Sequence, residues 1–177
     1  MSRAIIPGSF DPMTLGHREV VRAAAAIFDE VIVLVMNNDM TKYVKDAKVK
    51  EYLFDTGARV EIARLTCEDI PNVRVETRGG LLIDAFDEFG ADVIVKGVRN
   101  EADFAYEQVH AAWNLAHNPR AKTVYLPSDP TYAHLSSTLA REKLQKGESL
   151  SDIIAPNALE WIMKYKETKD ESQNSQT

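Results

Sequence analysis

The residues with the plainest chemical capacity stand close to the N-terminus. Pro7-Gly8-Ser9-Phe10-Asp11-Pro12-Met13-Thr14-Leu15-Gly16-His17 follows a short apolar run, Ala4 to Ile6, and leads straight into an Ala-rich segment with helical spacing. A hydroxyl and an imidazole three residues apart, Thr14 and His17, share one face of that helix's first turn. Free N–H groups at a helix N-terminus, and the partial positive charge there, favour an anion. Gly16 leaves no side chain in the way of a phosphate. The loop is not a Walker A loop, because no Gly-Lys-Ser/Thr follows, and it is not the G-x-G-x-x-G fingerprint. Alone, T-x-G-H could be a threonine cap with an incidental histidine. The preceding P-G-S-F-D-P argues against so bland an origin.

Two further stretches suit the same chemistry. Lys96-Gly97-Val98-Arg99 sets two cations just beyond the apolar run Val93 to Val95. On a solvated strand end these would be ordinary charges. At the ligand-binding edge of a sheet, a guanidinium fork suits phosphate better than an ammonium does. Ser136, Ser137 and Thr138 bring three hydroxyls to the start of a helix, where capping and phosphate binding use the same geometry.

These segments need a scaffold to bring them together. Short apolar runs at Ala4–Ile6, Val31–Met36, Val73–Thr77, Val93–Val95 and Thr123–Leu126 read as strands. The second, VIVLVM, is apolar throughout, as a strand buried on both faces must be. Between and after them lie helical patterns at 17–29, 56–66, 81–89, 103–116 and 136–146, and a last one opened by Pro156. Asp103 is placed to cap its helix, and Phe104, Val109, Ala112 and Trp113 mark an apolar stripe on it. The alternation predicts an α/β protein: one domain, residues 1–168, built on a doubly wound, five-stranded parallel sheet. Ligands of such sheets bind beyond the carboxyl ends of the strands, at the switch point of the strand order. Residues 169–177 are polar and are expected to form a disordered tail.

Composition narrows the partners. The chain has 177 residues, with 21 Lys and Arg against 27 Asp and Glu, for a net charge of -6. That balance argues against nucleic acid and anionic membrane, which want a basic surface, but leaves room for a small basic pocket. A single cysteine, Cys67, excludes a disulfide framework and a cysteine-based zinc cluster. No run approaches membrane-spanning length and no signal-like segment opens the chain, so a cytoplasmic location is expected.

With these residues in view, PGSFDPMTLGH resembles the first signature of the nucleotidyltransferase superfamily with the (H/T)-x-G-H motif. Within it the sequence is similar to the bacterial phosphopantetheine adenylyltransferases. Lys96-Gly97-Val98-Arg99-Asn100-Glu101-Ala102-Asp103-Phe104-Ala105-Tyr106-Glu107 matches their [RK]-G-[LV]-R-x-x-x-D-F-x-Y-E element, and Tyr132-Ala133-His134-Leu135-Ser136-Ser137-Thr138 their aromatic-x-x-[IL]-S-S-[ST] element. The three motifs come in order, and the resemblance spans about residues 3 to 165. The resemblance implies a Rossmann-like nucleotidyltransferase fold. It implies transfer of AMP from ATP to 4'-phosphopantetheine, giving dephospho-coenzyme A and pyrophosphate, with Mg2+ on the ATP phosphates, in a homohexamer. By the same resemblance, His17 contacts the α-phosphate as a hydrogen-bond donor and Thr14 supports its turn. ATP is held by Ser9, Phe10, Gly97, Val98, Arg99, Glu107 and the stretch Tyr132, Ala133, His134, Leu135, Ser136, Ser137 and Thr138. Ser9, Lys96 and Leu82 meet the pantetheine substrate, Leu82 through its backbone.

The sequence departs from the family after its second strand. Asn37 to Phe54 is several residues longer than usual, and alignment on Phe54 and Arg59 makes Lys50 the candidate catalytic and substrate lysine. Lys42, Lys45 and Lys48 compete with it. His110 and His117 read as packing or surface residues, and Trp113 and Trp161 as core. A sister enzyme that adenylylates nicotinamide mononucleotide, or one using CTP, is the nearest alternative. A nucleotide-binding protein without turnover is a second.

Overall fold

The computed structural model describes residues 1–37 and 51–174. Along the chain run β1 (Arg3–Gly8), α1 (Leu15–Ala25), β2 (Glu30–Val35), α2 (Thr56–Cys67), β3 (Val73–Thr77), α3 (Leu82–Glu88), β4 (Val93–Val98), α4 (Glu101–His117), β5 (Thr123–Pro127), α5 (Ser137–Lys146) and α6 (Pro156–Asn174). The five strands pair in parallel in the order β3-β2-β1-β4-β5. The chain starts in the middle of the sheet, steps outward to β3, then crosses to the other side of β1. The switch point therefore lies between β1 and β4, as a doubly wound sheet requires.

Period-two alternation sends the strand side chains to two cores. Ile6, Val31, Val33, Val35 and Val95 face α1, α2, α5 and α6, while Ile5, Ile32, Leu34 and Ile94 face α3, where Ala85 and Phe86 are fully buried. Burying a side chain the size of Phe86 stabilises by roughly 2–3 kcal/mol. Polar side chains close the helix starts: Asp55 accepts from the Ala58 N–H at 2.9 Å, Asn100 from Asp103 at 2.9 Å and Ser136 from Leu139 at 3.1 Å. Among the described residues no helix is long and apolar enough to cross a membrane.

The structure corrects the sequence reading in four places. β4 does not stop at Val95. Its ladder with β5 continues through Lys96↔Tyr125, Gly97↔Leu126 and Val98↔Pro127, so Lys96 and Gly97 sit on the strand. The cap of α4 is Asn100 and not Asp103, whose carboxylate is occupied by Arg99. The apolar stripe of α4 is not core, since Phe104 is 39% and Val109 69% exposed. Lastly, α6 continues to Asn174, through the stretch from Lys169 expected to be a disordered tail. Tyr165 donates to Asp55 Oδ2 at 2.7 Å and Lys169 lies 3.7 Å from the same oxygen, which ties this part of the helix to the start of α2.

Candidate active site

A cleft of about 500 Å³ opens over the carboxyl ends of β1 and β4, at the switch point. Two glycines let its walls approach. A Cβ on Gly97 would lie 2.6 Å from a methyl of Val20, so α1 rests directly on β4 there. A Cβ on Gly8 would lie 2.7 Å from the Phe10 ring, which is folded back over the end of β1. Phe10 holds this position with φ +45°, a left-handed conformation that a non-glycine residue adopts only where its surroundings enforce it. Gly16 is also tight, because a Cβ there would lie 3.1 Å from the Tyr132 carbonyl oxygen. Its role is thus to admit the 132–135 turn as well as to clear the helix end.

Thr14 and His17 interlock at the start of α1. The Thr14 side chain accepts from the His17 N–H, and the Thr14 N–H donates to His17 Nδ1 at 3.0 Å. A backbone N–H can only donate, so Nδ1 is the unprotonated nitrogen and the ring proton sits on Nε2. Burial first, and the Arg99 charge second, lower the His17 pKa to about 4. Around neutral pH the imidazole is therefore an uncharged donor of fixed orientation. In an NMR titration of the free protein the His17 ring should show a midpoint near 4 and not near 6.5. The sign for stability follows. From pH 6.5 down to about 4 the unfolded chain takes up a proton that the folded chain refuses, so the His17 contribution is complete above 6.5 and is lost as pH falls through that window. A midpoint above about 6 would contradict this assignment.

The α4 wall carries the cations in paired form. Lys96 Nζ is 3.1 Å from Glu107 Oε2, each side chain less than one-fifth exposed. Arg99 meets Asp103 through a fork, Nε to Oδ2 at 2.6 Å and Nη2 to Oδ1 at 3.1 Å. This pairing raises the Arg99 pKa and holds the Asp103 carboxyl below the usual carboxylate range. The opposite wall is the start of α5. There Ser136 caps the helix, Ser137 donates to the Pro12 carbonyl at 2.8 Å, and Thr138 faces the same opening.

Of the residues expected from sequence, the cleft brings together Ser9, Phe10, His17, Lys96, Gly97 and Arg99. It also includes Leu82, Glu107, Tyr132, Leu135, Ser136, Ser137 and Thr138. Thr14 is fully buried behind His17, not on the wall. Val98, Ala133 and His134 do not line the cleft, and His134 is exposed. Lys50 and its competitors Lys42, Lys45 and Lys48 lie outside the described residues. Trp113 is not core: it is half-buried, lines the cleft and stacks on His117 with ring centroids 4.0 Å apart. His110 lines the cleft too.

The sequence reading missed Arg141, Asn37 and Asn114 on the wall, and Asp11 and Arg59 beneath it. Arg141 could have been found, since it follows Ser137 by four residues and so shares its helix face. Its Nη1 donates to the Asp11 carbonyl at 2.7 Å and its Nη2 to Thr138 Oγ1 at 3.2 Å. Asn114 lies seven residues after Glu107, two turns along the same face. Among the described residues no group of three or more His, Cys, Asp or Glu could hold a metal ion. The cleft combines two helix N-termini, two guanidinium groups, an ammonium, hydroxyls and a neutral imidazole donor, a donor set suited to phosphate groups.

Comparison with known proteins agrees with this chemistry. Residues 5–143 match the cytidylyltransferase-like family. A phosphopantetheine adenylyltransferase of Caldanaerobacter subterraneus subsp. tengcongensis is 37% identical over 169 residues, covering 95% of this chain and all of that protein. One from a Nocardioides species is 40% identical over 156 residues, covering 88% of this chain and 92% of its own. A solved structure from Vibrio parahaemolyticus, described as a nicotinate-nucleotide adenylyltransferase, superposes with a TM-score of 0.66 at 20% identity over 93% of both chains. That last likeness speaks for the fold alone.

Proposed function

The chain belongs to the cytidylyltransferase-like family and, within it, to the phosphopantetheine adenylyltransferases, and from that premise we propose that it transfers AMP from ATP to 4'-phosphopantetheine. A phosphate oxygen of the acceptor attacks the α-phosphorus of ATP, the bond to the β-phosphate oxygen breaks, and pyrophosphate leaves with dephospho-coenzyme A as the other product. Such a reaction needs alignment and charge neutralisation more than covalent help. His17 donates its Nε2–H to an α-phosphate oxygen as negative charge builds there. Arg99, Arg141 and the α5 N-terminus take the outer phosphates, with Ser9 and Phe10 beside the nucleotide. Lys96 meets the acceptor phosphate, exchanging its contact with Glu107. Asp103 holds the Arg99 fork in plane until a phosphate competes for it. Gly97 provides room, and the turn Tyr132–Leu135 borders the nucleotide.

The observation that carries this reading is His17 itself: a neutral imidazole of one tautomer, at a helix N-terminus, over the switch point of the sheet. A neutral donor strengthens its bond as the oxygen gains charge.

A divalent ion, which we take to be Mg2+, would be carried into the cleft on the ATP phosphates. The cleft fits an ion carried in this way, because its donors are hydroxyls and phosphate-binding cations rather than a carboxylate cage, and magnesium keeps several waters in such sites. When bound it would neutralise charge on the leaving pyrophosphate.

Steady-state assay separates the readings. Pyrophosphate release with ATP and 4'-phosphopantetheine, and little with nicotinamide mononucleotide or with CTP in place of ATP, is the expected result. No release with 4'-phosphopantetheine overturns the proposal. Copies of the chain are expected to assemble as homohexamers. Phe104, Val109 and Leu115 of α4 are 39%, 69% and 46% exposed in the single chain, an amount of apolar surface that assembly would cover. Light scattering should return six times the 19.8 kDa of one chain, and a stable monomer would contradict it. We infer a cytoplasmic location, with which a lone, free and buried thiol, Cys67, agrees.

A further inference from the structure

Beneath the cleft lies a side chain that neither the motifs nor the reaction has used. Arg59 is 1% exposed, in the first turn of α2. A cation there is unfavourable on balance, because burial takes it out of water at the positive end of a helix dipole, and the nearby Asp11 and Asp55 carboxylates offset only part of that cost. Its fork donates to four neutral acceptors: Phe54 C=O from Nε at 3.2 Å, Ser9 C=O from Nη1 at 2.8 Å, and Asn37 Oδ1 and Thr56 Oγ1 from Nη2 at 2.6 and 3.1 Å. The guanidinium also lies 4.3 Å from the Tyr52 ring centroid. A hydrophobic residue would fill such a site at lower cost, so the value of the arginine lies in what it arranges.

What it arranges is the turn that carries Phe10. Arg59 anchors Ser9 on one side of Phe10. On the other side the buried Asp11 carboxylate accepts from the N–H groups of Leu53 and Phe54, each at 2.9 Å. Phe54 thus gives its N–H to Asp11 and its carbonyl to Arg59, and the two loops are stitched on both flanks of the one left-handed residue. The Phe10 ring meets the His17 ring edge-on, with centroids 5.3 Å apart and planes at 84°. Release of the stitch would let Phe10 return to an ordinary φ and carry its ring away from His17.

We propose that Arg59 is a positioning residue for His17: by pinning the Ser9 carbonyl and the 54–56 turn it holds Phe10 left-handed, and the Phe10 ring keeps the imidazole in place. The inference rests on the adenylyl-transfer reading for its kinetic consequence only. A lysine preserves the charge but cannot supply three nitrogens in one plane. The Arg59→Lys variant of the full chain should therefore fold and yet position His17 poorly.

The test measures Arg59→Lys beside the unaltered protein for thermal midpoint, kcat, KM for ATP, and the 15N signals of the His17 imidazole. Misplacement of about an ångström at a reacting centre costs up to about 10²-fold. The expected result is a loss of about 30-fold in kcat, a KM for ATP within about threefold, and His17 signals moved from the Nε2–H pattern toward a mixture of tautomers. Unchanged kcat with unchanged His17 signals would overturn the proposal, as would unmoved His17 signals in a folded variant of low activity. If the lysine variant does not fold, Thr56→Val removes one partner of the fork outside the cleft. It should shift the same signals in the same direction, and a failure to do so overturns the proposal as well. Failure of the unaltered protein to release pyrophosphate would sink the adenylyl-transfer reading alone, since the imidazole signals still decide the role of Arg59.

Discussion

Replacing His17 by alanine should lower kcat by about 10²-fold or more, with a much smaller change in ATP binding. Loss of one donor aimed at developing charge costs about 10²–10³ in rate where such donors have been removed from enzymes. The His17 ring meets the conditions for so large an effect. Its orientation is set by the Thr14 N–H, its ring packs edge-on to Phe10, and it stays neutral well below physiological pH. In the proposed ground state the α-phosphate would already be surrounded by the cations of the cleft, so one neutral donor would add little to binding. In the transition state its bond strengthens, and the difference appears in kcat. The alanine also breaks the reciprocal cap of α1, worth about 1 kcal/mol, so its thermal midpoint should be measured alongside. A folded variant with comparable turnover would refute the role.

The second large effect is on stability. Asp11→Ala should destabilise the fold by about 3 kcal/mol, because it leaves one buried and one part-buried backbone N–H without an acceptor and removes a charge that faces Arg141. The carboxylate is fully buried, bonded to Leu53 and Phe54, and 3.8 Å from the Arg141 guanidinium. For a chain of this length the shift in thermal midpoint would be roughly 6–12 °C. Asp11→Asn, which keeps one acceptor oxygen, should lose less than half of that. Thermal unfolding of the two variants measures the difference. Equal, small losses would show that the carboxylate does not stitch these loops.

The sheet was legible because its signals are local. Uniformly apolar, mostly β-branched runs such as Val31 to Val35, helical spacing after His17, and Gly147 at a helix end each declare themselves within a few residues. The errors arose where a distant partner decides. Whether β4 stops at Val95 depends on what β5 offers beside Lys96 and Gly97. Whether α6 ends at Lys169 depends on Asp55, more than a hundred residues earlier. Val109 and Phe104 have core chemistry, but the sheet covers only part of that face: Phe104 meets the Tyr125 ring of β5 edge-on, while Val109 stays 69% exposed.

The candidate site divides in the same way. Residue types and spacing alone pointed to His17, Lys96, Arg99 and the hydroxyls from Ser136 to Thr138 as candidates for phosphate, and the family resemblance added Ser9. These sit at strand ends and helix starts, positions that chain order already dictates in a doubly wound sheet. Only the tertiary structure decided which of them are paired and what supports them. It joined Lys96 to Glu107 and Arg99 to Asp103, added Arg141 to the wall, and placed Arg59 and Asp11 on either flank of Phe10. It also set the surroundings of His17: the cap orients the ring and makes Nδ1 the acceptor, while burial and then the Arg99 charge lower its pKa to about 4. The physical reason is range: hydrogen-bond direction along a helix turn is written within four residues, whereas desolvation and ion pairing depend on whatever the fold brings within a few ångströms.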